Sequence, residues 1–72
     1  MIVFSDLSVG DTFNTMVARW AKTSGHMAEV VMGTVPEFEV GTRYVFRGDQ
    51  EVILIWSSSP ELMKRVSRGT IE

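Results

Sequence analysis

RYVFRGDQEVILIW, residues 43–56, is the stretch whose reading decides the fold. Its two ends are rich in β-branched and aromatic side chains, and Gly48-Asp49 between them is a pair favoured in tight turns, so the segment reads as a β-hairpin. On the first arm Arg43, Val45 and Arg47 face one side while Tyr44 and Phe46 face the other. On the second, Val52, Leu54 and Trp56 share one face, and Ile53 and Ile55 the other. Both faces then call for burial, which marks a central or interface strand.

Working outward towards the N-terminus, PEFEV (36–40) and MAEVVM (27–32) repeat the pattern of short Val- and aromatic-rich runs separated by glycine or proline, giving three or four strands beyond His26. Residues 13–25, FNTMVARWAKTSG, satisfy two periods at once. Phe13, Met16, Val17, Trp20 and Ala21 fall at i, i+3, i+4, i+7 and i+8, one face of a helix that Asp11 or Thr12 would cap and Gly25 would end. The same residues also alternate as strands, with Met16, Ala18 and Trp20 opposite Val17, Arg19 and Ala21. Periodicity leans towards helix, and tertiary packing decides such segments. The opening MIVF reads as a short strand entering a turn built from Ser5, Asp6, Ser8, Gly10 and Asp11.

Towards the C-terminus, Ser59-Pro60-Glu61 combines an N-cap, a proline suited to the first helical position and an acid favoured by the helix dipole. Leu62, Met63 and Val66 form an apolar stripe and Gly69 a natural stop, so a short helix is predicted over about 60–68. Lys64, Arg65 and Arg68 lie opposite the stripe and read as a solvated face. The expectation is a mainly β, single-domain chain (residues 1–72): a small curled antiparallel sheet or barrel with a short C-terminal helix. The alternative is an α+β arrangement, with an additional helix at about 12–23 packed on a three- or four-stranded antiparallel sheet.

With 72 residues there is room for one core. A core of that size supplies only about 3–5 kcal/mol of net stability, so small domains commonly add disulfides, a metal or a partner subunit. The chain has no cysteine and one histidine, which removes disulfides and thiolate sites and leaves a homodimer or another partner as the remaining aid. Absence of cysteine also points to a cytoplasmic protein. The longest apolar runs fall far short of the roughly 20 residues that span a bilayer, so no membrane association is expected. Nine acidic and seven basic side chains give a net charge of −2, which slightly repels polyphosphates and disfavours nucleic acid as a partner.

Phe4, Leu7, Gly10 and Phe13, followed by Trp20, Lys22 and Ser24, reproduce a pattern F-x-x-L-x-x-G-x-x-F and then aromatic-x-Lys-x-Ser. In these residues the chain resembles a group of small proteins encoded by tailed bacteriophages. The resemblance covers about the first 30 residues. It implies a curled antiparallel sheet similar to an SH3-like barrel, with FNTMVARWAK as strand, and it carries no catalytic residue. The chain departs from the pattern in lacking a glycine turn between Phe13 and Trp20 and in extending through a further hairpin and helix.

Candidate chemistry is sparse. His26 sits in a turn and reads as a solvated residue. Glu37 and Glu39, two apart on a predicted strand, form a pair of the kind that binds hard metals or performs acid–base work, but only in a cleft that so small a domain rarely encloses. They read as a solvated face with Phe38 and Val40 beneath. No nucleophile elbow, phosphate-cradling loop or zinc-protease pair occurs. No enzyme, cofactor or metal site is therefore predicted. Arg43, Tyr44, Phe46 and Arg47 interleave bases with rings as single-strand-binding surfaces do, although alternation separates the two kinds.

Two tryptophans, four phenylalanines, one tyrosine and five methionines are many large apolar groups for this interior, and such side chains are enriched at interface centres. Trp20, Met32, Tyr44 and Trp56 are the plausible anchors. The functional expectation is a non-enzymatic protein-binding module that acts by steric occupation, with its contact surface at Arg43, Tyr44 and Arg47 and at an exposed edge near Trp20. If phage-encoded, it would be a modulator or inhibitor of a host protein in the host cytoplasm. The alternatives are a nucleic-acid-binding small barrel and a self-associating structural protein.

Overall fold

The structure, a computed structural model, describes residues 1–33 and 35–71, with side chains up to residue 66. A 3-10 turn at Phe4–Asp6 precedes β1 (Thr12–Asn14), β2 (Ala18–Lys22), β3 (Met27–Gly33), β4 (Arg43–Val45), β5 (Ile53–Trp56) and α1 (Pro60–Ile71). The five strands form one antiparallel sheet in the order β4-β3-β2-β1-β5. Register shifts between Thr12 and Phe13 and between Arg19 and Trp20 bend it, as bulges do. The mainly β reading with a C-terminal helix therefore holds.

The ambiguous segment is strand, with no helix at 12–23. Phe13 and Trp20 are cross-strand partners with rings stacked at 6.5 Å. A spacing of seven residues is two helical turns, and it is also the separation of facing residues across a tight hairpin. Met16, assigned to the helical stripe, sits at the hairpin tip and is 98% exposed. No glycine is needed there because Thr15 supplies local bonds. Its N–H donates to the Ala18 carbonyl at 2.9 Å, and its hydroxyl accepts from the Val17 N–H at 3.4 Å.

The hairpin expected over 43–56 does not form, although its turn does: the Gln50 N–H donates to the Arg47 carbonyl at 3.1 Å. Neither Gly48 nor Asp49 adopts a positive φ, so the turn lacks the primed geometry that matches strand twist, and its arms diverge. β4 and β5 end on opposite edges of the sheet, which also overturns a central position for β5. The residues leading into β5 pair instead with the N-terminal segment. Val52 N–H donates to Ile2 carbonyl (3.0 Å), Phe4 N–H to Gln50 carbonyl (2.8 Å) and Ser5 N–H to Gly48 carbonyl (2.9 Å). MIVF is accordingly reduced to a single bridge, Val3 to Glu51, and the 3-10 turn.

PEFEV is likewise not a strand. Turns close from the Phe38 N–H to Val35 and from the Thr42 N–H to Glu39, each at 3.1 Å, and Gly41 takes a left-handed φ of 94°. Glu37, Glu39 and Val40 are all exposed, so no buried Val40 underlies the acids. Phe38 alone folds inward. The loop approaches β3 so closely that a Cβ on Gly33 would overlap the Phe38 carbonyl oxygen.

The concave side of the sheet is filled by Phe4, Phe13, Trp20 and Phe46, with Leu7, Val30, Val52, Leu54 and Leu62 around them. Phe46 stacks on Phe4 at 4.9 Å and meets Trp20 edge-on at 4.9 Å. At α1 the Ser59 hydroxyl accepts from the Leu62 N–H at 3.4 Å, the expected N-cap. The helix then continues through Gly69 to Ile71 instead of stopping near residue 68. Among the described residues, no helix is long and apolar enough to cross a membrane.

Candidate functional site

Two places concentrate chemistry: a buried polar cluster and an open apolar groove. In the first, Asp11 is fully buried. Its Oδ2 accepts from the Ser57 hydroxyl at 2.6 Å and the Ser8 N–H at 2.9 Å, and its Oδ1 from the Ser58 N–H at 3.2 Å. Lys22, also buried, donates from Nζ to the Phe4 and Leu7 carbonyls at 3.1 and 2.8 Å and lies 4.4 Å from the centre of the Phe4 ring. Burial pushes the ammonium below its usual range, and the nearby Asp11 and Asp6 carboxylates pull it back in part. Each of these groups is committed to tying the N-terminal loop to β2 or to the β5–α1 junction. The cluster is a brace, with no side chain left to meet a ligand. Asp11, a candidate cap for a helix over 12–23 that does not form, instead holds Ser57 and Ser58 ahead of α1.

The groove lies between the two outer strands, where the curled sheet does not close on itself. It encloses about 590 Å³ and is lined by the β1–β2 hairpin tip (Asn14, Thr15, Met16, Val17), by Trp20 and Phe38, by Tyr44 to Phe46, and by residues 50–53. Much of this lining is apolar and solvent-facing: Val45 is 75% and Ile53 68% exposed. One flank is an open strand edge. The bonds from Phe46 N–H to His26 carbonyl and from Val30 N–H to Thr42 carbonyl set the phase of the β3–β4 ladder. Residues 42, 44 and 46 turn their main-chain groups towards β3, so those of Arg43 and Val45 face away.

Trp20, Phe38 and Tyr44 line one end of the groove and suggest a cage for a cation. Their centroids stand 5.2–5.9 Å apart, which is ring-to-ring contact and leaves no space between them. The rings are a wall.

Of the four residues predicted to form the contact surface, only Tyr44 takes part in the groove from an accessible position, at 37% exposure. Trp20 is a correction. It is 2% exposed, on an interior strand with neighbours on both sides, and its indole N–H is already given to the Thr15 hydroxyl at 2.9 Å. Arg43 and Arg47 do not line the groove and are paired with Glu29 at 3.4 Å and Asp49 at 2.9 Å. Met32 and Trp56 reach the surface but away from the groove. His26 is exposed in the β2–β3 turn.

Sequence reading missed Met16, Val45, Glu51 and Ile53. The signal for Ile53 was present, in a second arm apolar on both faces. Met16 was hidden by its fit to the helical stripe. No protein-family model matches the chain, and comparison with curated proteins and with solved structures finds no match.

Proposed function

We propose that this domain is a non-enzymatic binding module that seats a segment of another protein in the groove between its outer strands, acting on that partner by steric occupation. The observation that carries this reading is the coincidence of an exposed apolar lining (Met16, Val45, Ile53, with Tyr44) and an unpaired strand edge at Arg43 and Val45. An extended peptide beside β4 would gain main-chain hydrogen bonds and place alternate side chains in the groove. The pairing of Arg43 and Arg47 with carboxylates lowers the weight of the nucleic-acid alternative, since neither is a free phosphate ligand. The resemblance of the first 30 residues to phage proteins favours a host protein as the partner.

The test is affinity capture from bacterial lysate with the wild-type chain and with a Val45→Arg/Ile53→Arg variant, before and after nuclease and at raised salt. Both substituted side chains are exposed, so the variant should keep wild-type stability. A stoichiometric protein held by the wild type under all conditions and lost by the variant supports the reading. Capture that disappears with nuclease would transfer the function to nucleic acid. Capture unaffected by the variant would remove the groove from it.

A further inference from the structure

Glu51 is the single charged residue among the described groove-lining residues. It is exposed, and its carboxylate has no ion-pair or hydrogen-bond partner among the described residues. The basic side chains nearest in sequence are engaged elsewhere, Arg43 with Glu29 and Arg47 with Asp49. The groove therefore combines an apolar floor, an open strand edge and one uncompensated negative charge, in a molecule whose net charge is −2.

Resting on the binding reading above, we infer that the groove selects an extended protein segment carrying a lysine or arginine flanked by apolar residues. A strand laid along β4 directs every second side chain into the groove. Apolar side chains at those positions cover Met16, Val45 and Ile53, and a basic one meets Glu51. An acidic segment would set a second negative charge beside Glu51, in a site that offers no cation. The overall negative charge adds a weak long-range attraction for a basic segment.

The experiment is selection of a random displayed peptide library on the full chain, followed by fluorescence-polarisation titration of the selected peptides against wild type, Glu51→Gln and Val45→Arg/Ile53→Arg. The expected consensus has a basic residue between apolar ones. Glu51→Gln should weaken binding about two- to fivefold at low salt, the range of an exposed ion pair, and the difference should shrink as salt rises. A consensus without a basic residue, or affinity unchanged by Glu51→Gln, overturns the inference while leaving the groove as a binding site. Peptides insensitive to Val45→Arg/Ile53→Arg, a selection without consensus, or a chain found to be dimeric with the groove occupied by its own copy would overturn both.

Discussion

Trp20 and Tyr44 stand side by side, 5.4 Å between ring centres, and substitution should separate them sharply. Trp20 is enclosed by Phe13, Phe38 and Phe46, so Trp20→Ala should cost about 3–5 kcal/mol. That is comparable with the whole stability of a domain this small, and the variant should be largely unfolded by circular dichroism. Tyr44→Ala removes a ring that is partly exposed, at 37%, and should cost only about 1–2 kcal/mol in urea titration, less than the full burial value. Lys22 offers a test of different kind. Its folded-state pKa lies below 10.5, so between the lowered value and 10.5 the folded chain holds fewer protons than the unfolded one, and stability rises with pH in that window. Below the window the burial of charge opposes folding in full. Relative to Lys22→Met, the wild-type urea midpoint should therefore gain as pH approaches 10.5. A difference that stays constant across that range would mean that the ammonium is not desolvated in the fold.

Among the elements, those written in local chemistry were readable and those decided by pairing were not. The α1 start is legible because Ser59, Pro60 and Glu61 act within one turn of each other, and the turn at Gly48-Asp49 is legible for the same reason. What the arms of that turn pair with depends on backbone sign at two residues and on Ile2 to Ser5, more than 40 positions away, and no local pattern carries that. The groove inherits this limit. Tyr44 is legible as an aromatic side chain on a predicted strand, whereas Met16, Val45 and Ile53 become one surface only with β4 and β5 at opposite edges of the sheet. The loop holding Phe38 makes its own prediction. Gly33 admits the Phe38 carbonyl where any Cβ would collide, so Gly33→Ala should destabilise by about 1–3 kcal/mol, as overpacking does. It should also displace Phe38 from Trp20, visible as a changed tryptophan emission spectrum. An unchanged spectrum with full stability would show that the loop has room to yield.

At the scale of the whole molecule, the N-terminal segment is pinned along the residues that lead into β5. The amides of Phe4, Ser5 and Val52 are bonded across the same seam, and the Phe4 ring packs against both Phe13 and Phe46. Native-state hydrogen exchange should find these amides opening together as one unit; independent exchange of Phe4 and Val52 would argue against a single seam. The second tie, Asp11 to Ser57, joins residues 46 apart in the chain. Both ties demand that most of the polypeptide be gathered into a loop before either is made, and the entropy of that loop is lost before the contacts return anything. For its length the chain should therefore be a slow folder, in milliseconds or longer where a helical bundle of equal size takes microseconds. During that interval β4 and β5 are bare edges without a sealed core behind them, and the time spent unsealed, more than the strength of the finished seam, sets how much of a concentrated preparation is lost to aggregation.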